Sequence, residues 1–434
     1  MRTICVVSVL GLAACGGKAG SEDRTDASAT PPDAASSPDG AIGRDGGLEA
    51  SACAFAGFGA ATAYSAANLP SSVFVYSPTG GVPNLIAVEP NAAPHTTFEL
   101  FANRGDGTFA LATFHGAVAD FTSAVSADFD GDGLADIAGE TPSPTSDGSL
   151  GRNGSLQIDR NIGGGAFASQ VATYSTPQTS GYLAVGDFDR DGHLDIAMAG
   201  ATIVPRPDGV NVDSAGLDLF FNNGRGSFAS PIVYTDSQGF GLERIAAADF
   251  DGDGSPDLGL FPGGPFLNSG TGTFGAELPL PPLPDDASSS PLPFWAAGDF
   301  NRDGKSDLVA AVAPNEIAVF LAVGGGSFAA PVTYATGSTP SVVAVGDFNG
   351  DSYPDVVVLL DAQTASSSLG LYLNQGDGAF GAETKLVLGP YAVSIGTADF
   401  NGDGVTDLAV GNDGFADPDG GGVNSVTVAL SRCL

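Results

Sequence analysis

Six nine-residue stretches hold the side chains in this 434-residue chain that could do chemistry at regular spacing. The first three carry aspartate at positions 1, 3, 5 and 9: Asp128, Asp130, Asp132 and Asp136; Asp187, Asp189, Asp191 and Asp195; Asp249, Asp251, Asp253 and Asp257. The other three put asparagine at position 3: Asp299, Asn301, Asp303 and Asp307; Asp347, Asn349, Asp351 and Asp355; Asp399, Asn401, Asp403 and Asp407. Alternating carboxylates can converge on one ion when intervening glycines let the backbone wrap tightly. Position 7 is Leu134, His193, Ser255, Lys305, Tyr353 or Val405, a mixture that suits a backbone carbonyl as the donor there. Every donor is a hard oxygen, which fits calcium and disfavours zinc or copper. About six calcium sites are expected.

Two other readings of the loops fail. An EF-hand or dockerin loop needs glutamate at position 12 and flanking helices. Position 12 is instead Gly139, Met198, Leu260, Ala310, Val358 or Val410, and the flanks are β-like. Acidic turns without metal would crowd three or four carboxylates together against their mutual repulsion. The loops hold 21 of the 50 acidic residues, so much of the formal charge of −35 is ligand charge, and six calcium ions would bring it to −23.

The elements that must position these loops repeat with them. Successive first aspartates lie 59, 62, 50, 48 and 52 residues apart, the mark of an array of one supersecondary unit. In each unit a short apolar run such as Leu183-Ala184-Val185 enters the loop, and another such as Ile196-Ala197-Met198 leaves it. A third run ends in a glycine turn and a phenylalanine, at 109, 167, 228, 274, 328 and 380; a fourth ends near an aromatic, as at Tyr174, Tyr234 and Tyr334. Four short antiparallel strands in about 50 residues make one propeller blade. Residues 73–109 form a further unit in which 76–84 replaces the acidic loop, so an all-β, seven-bladed β-propeller with six metal loops is expected over 53–434. The composition agrees: 63 Gly and 29 Pro favour turns and short strands over helices.

The phrase Val-Gly-Asp-Phe-Asn-Gly-Asp at 345–351, with the recurring Asn-Gly-Asp-Gly turns, resembles FG-GAP/VCBS repeats, the units of the integrin α-subunit propeller and of many bacterial surface proteins. The resemblance spans residues 53–434 and implies the propeller fold and calcium, but no single activity.

The last unit stops after the third-strand run 425–430, and the missing piece stands at the other end of the propeller. Phe58 to Tyr64 matches the spacing of Phe328 to Tyr334, so residues near 57–64 are expected to supply the fourth strand of the final blade. The same alignment sets Cys53 beside Cys433, and a disulfide between them would close the ring.

The N-terminus reads as an export signal over 1–14. Its apolar stretch from Ile4 is too short to span a bilayer, and no later run is long enough. Leu12-Ala13-Ala14-Cys15-Gly16 is similar to a bacterial lipobox, with Cys15 as the lipidated residue; Gly16 favours outer-membrane or surface display. Residues 15–52 read as the lipidated cysteine and a disordered tether rich in Gly, Ala, Ser, Pro and Asp. The negative charge excludes nucleic acid and anionic lipid surfaces as partners, leaving the lipid as the membrane contact, and a monomer is expected.

In such blades the acidic loops share one face with the glycine hairpins. Long connections at 140–155, 201–216, 361–368, 411–423, 235–242 and 281–294 gather on the other face, the expected surface for a protein or glycan ligand. Its polar residues include Arg206, Asp208, Asp213, Asp236, Asp285, Asp286, Asp413 and Asp417, among which no catalytic pair stands out. Several motifs have plainer readings. Arg104-Gly105-Asp106 is a hairpin turn, His95 and His115 lack partners at ligand spacing, and Trp295 packs between blades. Glycines at 163–165 and 324–326 precede no helix, so they form no phosphate loop. The leading expectation is a non-enzymatic, calcium-stabilised binding or adhesion module on a bacterial surface; the alternatives are an exported polysaccharide lyase or hydrolase and a scaffold in an envelope complex.

Overall fold

The inner strands show why the chain folds as it does. Asp355–Leu360 is buried at every position, and so is Ser368–Tyr372 beside it. Such strands are covered on both faces, so they read as continuous apolar runs instead of alternating ones. The outer strands Val332–Ala335 and Thr384–Leu386 are mostly exposed. The middle strands of the sheet are therefore its driest part: the edge strand Pro340–Gly346 is mostly half-buried and the opposite edge is wet.

The chain is seen in a computed structural model, which describes residues 55–66, 72–76, 81–89, 97–110, 113–115, 123–144, 150–163, 166–176, 181–205, 211–235, 244–261, 263–283, 294–312, 314–413 and 424–433. Among these residues there is no α-helix; the protein is an all-β propeller. Six four-stranded antiparallel sheets are each built from one continuous stretch: sheet I from 72–115, II from 123–176, III from 181–235, IV from 244–277, V from 295–335 and VI from 340–386. Sheet III is representative, with strands A to D at Gly181–Gly186, Asp195–Pro205, Asn211–Phe220 and Ile232–Thr235.

A further four-stranded sheet, VII, is composite. Ala392–Ala398, Asp407–Asn412 and Ser425–Ala429 are joined by Thr62–Ser65 from the far end of the chain, with Tyr64 opposite Val426. Just beyond, Phe58 lies opposite Ser431 and Phe55 opposite Cys433. This short ladder matches the one in sheet V, where Phe328 lies opposite Ala322.

Two stretches differ from expectation. Residues 140–155 and 201–216, read from sequence as long surface connections, are largely strand. Asp136–Pro144 pairs with Leu150–Gly163, and Asp195–Pro205 pairs with Asn211–Phe220. Residues such as Ile203, Val204 and Val212 continue the ladder in register, so the hairpin zips on past the core.

Candidate metal loops

The loops sit between strands A and B, and two residues anchor each of them. The phenylalanine at position 2 (Phe129, Phe188, Phe250, Phe300, Phe348 or Phe400) is almost fully buried. In five loops its ring meets, edge-on, the turn phenylalanine of the next sheet: Phe129 with Phe228, Phe188 with Phe274, Phe250 with Phe328, Phe300 with Phe380, and Phe400 with Phe109, at 5.2–5.9 Å. Phe348 meets Phe58 at 6.1 Å. Such pairs contribute about 0.5–1.5 kcal/mol beyond their burial.

The aspartate at position 9 is the second anchor. Its Oδ2 accepts the backbone N–H of position 2 at 2.9–3.2 Å in all six loops. Its Oδ1 accepts a backbone N–H at the end of strand C, from Asn161, Asn222, Asn268, Ala322, Asn374 or Ser431, at 2.7–2.8 Å. This carboxylate thus ties the loop to the end of strand C in its own sheet.

The remaining loop groups wrap around position 1. Asp128 Oδ1 accepts from the N–H of Gly131 at 2.8 Å, and its Oδ2 from Gly133 at 2.9 Å; Asp249 and Asp399 repeat the pattern. Position 3 accepts from the position 5 amide, and position 5 from the position 7 amide. Glycine at position 4 supplies the left-handed backbone this winding needs, as at Gly131 with φ of 76°. Arg190 and Arg302 hold the same conformation at position 4 with φ of 59° and 56°, and each reaches the following loop. Arg190 donates to the Asp253 carbonyl at 2.7 Å, and the Arg302 guanidinium lies 5.1 Å from the Tyr353 ring centre.

The result is convergence. One carboxylate oxygen from each of Asp128, Asp130 and Asp136 lies within 4.8 Å of the others; Asp187, Asp189 and Asp195 do the same, as do Asp249, Asp251 and Asp257. In the asparagine loops Asn301, Asn349 and Asn401 donate Nδ2 to the carboxylate at position 5. Asp132, Asp191 and Asp253 stand outside the three tight groups and take the position 7 amide. Position 7 side chains pack on the C–D hairpin of their own sheet, His193 against Gly224 and Tyr353 against Gly376.

Burial pushes the carboxyls of Asp136, Asp195, Asp257, Asp355 and Asp407 up to about 7, and Asp307 to about 6; the neighbouring loop carboxylates push the same way. Two backbone N–H bonds to each work against that rise. Buried, crowded carboxylates with an all-oxygen donor set fit a hard divalent cation, whose charge would relieve the strain on the ionised forms.

The motifs singled out in the sequence resolve simply. Arg104-Gly105-Asp106 is a hairpin turn: Arg104 N–H donates to the Thr108 carbonyl, and Asp106 takes both the N–H and hydroxyl of Thr108. Trp295 is buried and stacks on Phe250 of the preceding sheet. On the expected ligand face, residues 361–368 form a compact turn in which Thr364 and Ser367 hydroxyls donate to the Asp361 carbonyl. Cys15, Cys53, His95, Arg206, Asp208, Asp236, Asp285, Asp286 and Asp417 lie outside the described residues. A cavity of about 430 Å³ opens on the loop face where sheets I and VII meet, beside Asn401, Asp403, Thr108 and Arg432.

Sequence reasoning missed the ties between sheets. Asn222 Nδ2 donates to the carbonyl of Phe129 in the preceding sheet at 2.7 Å, as Asn268 does to Phe188, Asn374 to Phe300 and Asn103 to Phe400. The asparagine two residues before the hairpin glycine, at 103, 222, 268 and 374, was the available signal. Tyrosine hydroxyls on strand D add a second tie, Tyr174 accepting from the N–H of Phe228, Tyr334 from Phe380 and Tyr64 from Phe109.

Residues 206–260, 299–358 and 359–410 match the family model of the FG-GAP-like repeat. Over those residues the chain carries FG-GAP-like repeats, and its stacked antiparallel sheets make a β-propeller. No curated protein matches it. One similar solved structure is that of BBS1N in complex with ARL6DN, soaked with lead, at a TM-score of 0.48 and 12% identity over 87% of this chain and 96% of that one. Another is the V. cholerae biofilm matrix protein Bap1, at a TM-score of 0.34 and 18% identity over 58% of this chain and 37% of that one.

Proposed function

We propose that this chain is a calcium-stabilised binding or adhesion module for a protein or glycan, displayed on a bacterial surface through lipid on Cys15. The observation that carries it is the convergence of the position 1, 3 and 9 carboxylates in loops 128–136, 187–195 and 249–257. Calcium bound there takes the side-chain oxygens of positions 1, 3, 5 and 9 and the carbonyl of position 7; the three asparagine loops offer one amide in place of a carboxylate. Bound ion supplies the positive charge that the buried position 9 carboxylates lack, and so holds strand A, strand B and the C–D hairpin together.

The same reading makes the sheets one closed ring of seven blades, with Thr62–Ser65 as the outer strand of the last. It is supported by Phe58, Tyr64 and Asn103, whose contacts across the junction of sheets I, VI and VII repeat those between consecutive sheets. A Cys53–Cys433 disulfide belongs to this reading as the link in place of a hairpin turn; Phe55, two residues after Cys53, lies opposite Cys433.

A rigid ring frees the connections on the face opposite the loops to carry recognition. The test is a screen of the exported protein on glycan arrays and in pull-downs, with calcium and with chelator. Saturable, calcium-dependent capture of one glycan class or protein is expected. Turnover of a polysaccharide without saturable binding would overturn the reading.

A further inference from the structure

The six loops are not electrostatically equivalent, and one side chain separates the first from its two closest counterparts. Arg160 Nε lies 2.7 Å from Asp130 Oδ2, and the Asp130 side chain is only 8% exposed. Asp130 belongs to the convergent group Asp128, Asp130 and Asp136. Among the described residues no other position 3 side chain is in an ion pair; Lys305 and Arg190 reach Asp303 and Asp253, both at position 5.

The place of Arg160 in the fold makes the contact specific. It immediately precedes Asn161, whose N–H ties strand C to Asp136. The residues at that place in later sheets are Phe221, Leu267, Leu321, Leu373 and Leu430. Phe221, Leu267, Leu321 and Leu430 lie against the second hairpin glycine of the next sheet, at Gly272, Gly326, Gly378 and Gly107. Arg160 approaches the corresponding Gly226 but turns its guanidinium onto Asp130. A position that is apolar packing elsewhere carries a fixed positive charge here.

We propose that Arg160 is a resident counter-cation of loop 128–136, so that this loop takes calcium more weakly than loop 187–195. That loop has the same carboxylate set and, among the described residues, no ion pair on its carboxylates. The guanidinium neutralises a carboxylate that the ion would otherwise use, and calcium must displace or tolerate it. The same contact keeps the loop folded when calcium is scarce. The inference rests on the calcium reading above.

Calorimetric calcium titration of the full chain tests it, with Arg160→Leu, Asp128→Asn and the double variant. Leucine is what four other sheets carry at this place, so the fold should tolerate it. Arg160→Leu should raise the affinity of one site by about five- to tenfold, the scale of losing a partly exposed charge beside a ligand. Asp128→Asn should leave the tight sites of the natural protein unchanged, yet abolish the site gained in Arg160→Leu. Arg160→Lys, which keeps the charge, should gain nothing. In chelator, Arg160→Leu should melt below the natural protein. Calcium uptake with affinities unmoved by Arg160→Leu overturns the role of Arg160 alone. A natural protein that takes up no calcium overturns the calcium reading itself, while an unchanged melting temperature of Arg160→Leu in chelator overturns the counter-cation independently.

Discussion

Asn103 in the first sheet donates its side-chain amide to the carbonyl of Phe400, 297 positions later, at 2.8 Å. The bond is the one that links consecutive sheets elsewhere, from Asn222 to Phe129, Asn268 to Phe188 and Asn374 to Phe300. Sheet I therefore meets sheet VII as sheet III meets sheet II. The carbonyl it binds belongs to position 2 of an acidic loop, so each tie runs directly into metal-loop backbone.

Removing one tie should cost measurable stability. Asn222→Ala deletes donors to the buried carbonyl of Phe129 and the part-buried carbonyl of Leu194. Leaving such groups unmatched costs about 1–3 kcal/mol. Chemical denaturation should show a loss of about 2 kcal/mol for the variant; a loss indistinguishable from zero would show that the tie carries no energy.

The composite sheet can be probed at both of its N-terminal aromatics. Tyr64→Phe keeps the ring beside Phe109 but removes the acceptor for its N–H, and should cost about 1 kcal/mol. Phe58→Ala removes the ring against Phe348 and should cost about 1–3 kcal/mol, a half-buried version of a core truncation. Hydrogen exchange in Ser425–Ala429 and Ser431–Cys433 should accelerate in both variants. Protection unchanged in both would mean that residues 55–65 do not hold that edge.

Closure by disulfide gives a separate outcome. Mass spectrometry of exported, unreduced protein should find Cys53 joined to Cys433, and reductant should lower the melting temperature. Two alkylatable thiols in native exported protein would contradict it.

Acidity should act opposite to its usual effect when calcium is absent. The position 9 carboxyls titrate near 6–7 in the folded chain, above an unfolded value near 3.8. Between those values the folded state binds more protons than the unfolded one, so folding stability falls as pH rises. In chelator the melting temperature should decline from pH 4 towards pH 7, a window set by those shifts, and calcium should flatten or reverse the decline. A metal-free protein that gains stability over that interval would contradict the burial of these groups.

The repeat, the strand order and the acidic loops were legible because each rests on local pattern. The Asp-x-Asp-x-Asp spacing, the phenylalanine after each hairpin glycine and the spacing from Phe58 to Tyr64 all recur within a short window. What sequence concealed is the traffic between sheets. Nothing local tells that Asn222 reaches Phe129, or that Arg160 turns onto Asp130 where Leu267 and Leu321 only pack. The extension of strands through Ile203 and Val212 was hidden because glycine and proline nearby read as loop. The two roles of the position 9 aspartate were also unseen: the pattern marks it as a ligand, but its two N–H bonds make it a fastening as well.

If the loops are calcium sites that hold the propeller together, the full chain should melt very differently in calcium and in chelator. With extracellular-type affinities of about 10⁻⁴–10⁻³ M, calcium at about 1 mM contributes roughly 0.4–1.4 kcal/mol per occupied loop. Six independent loops together supply about 2.5–8 kcal/mol, comparable with the net stability of a whole domain. A large drop in melting temperature is expected in chelator, restored by calcium and not by magnesium at the same concentration, with Asp191→Ala losing one loop's share. Superimposable melting curves with calcium and with chelator would contradict it.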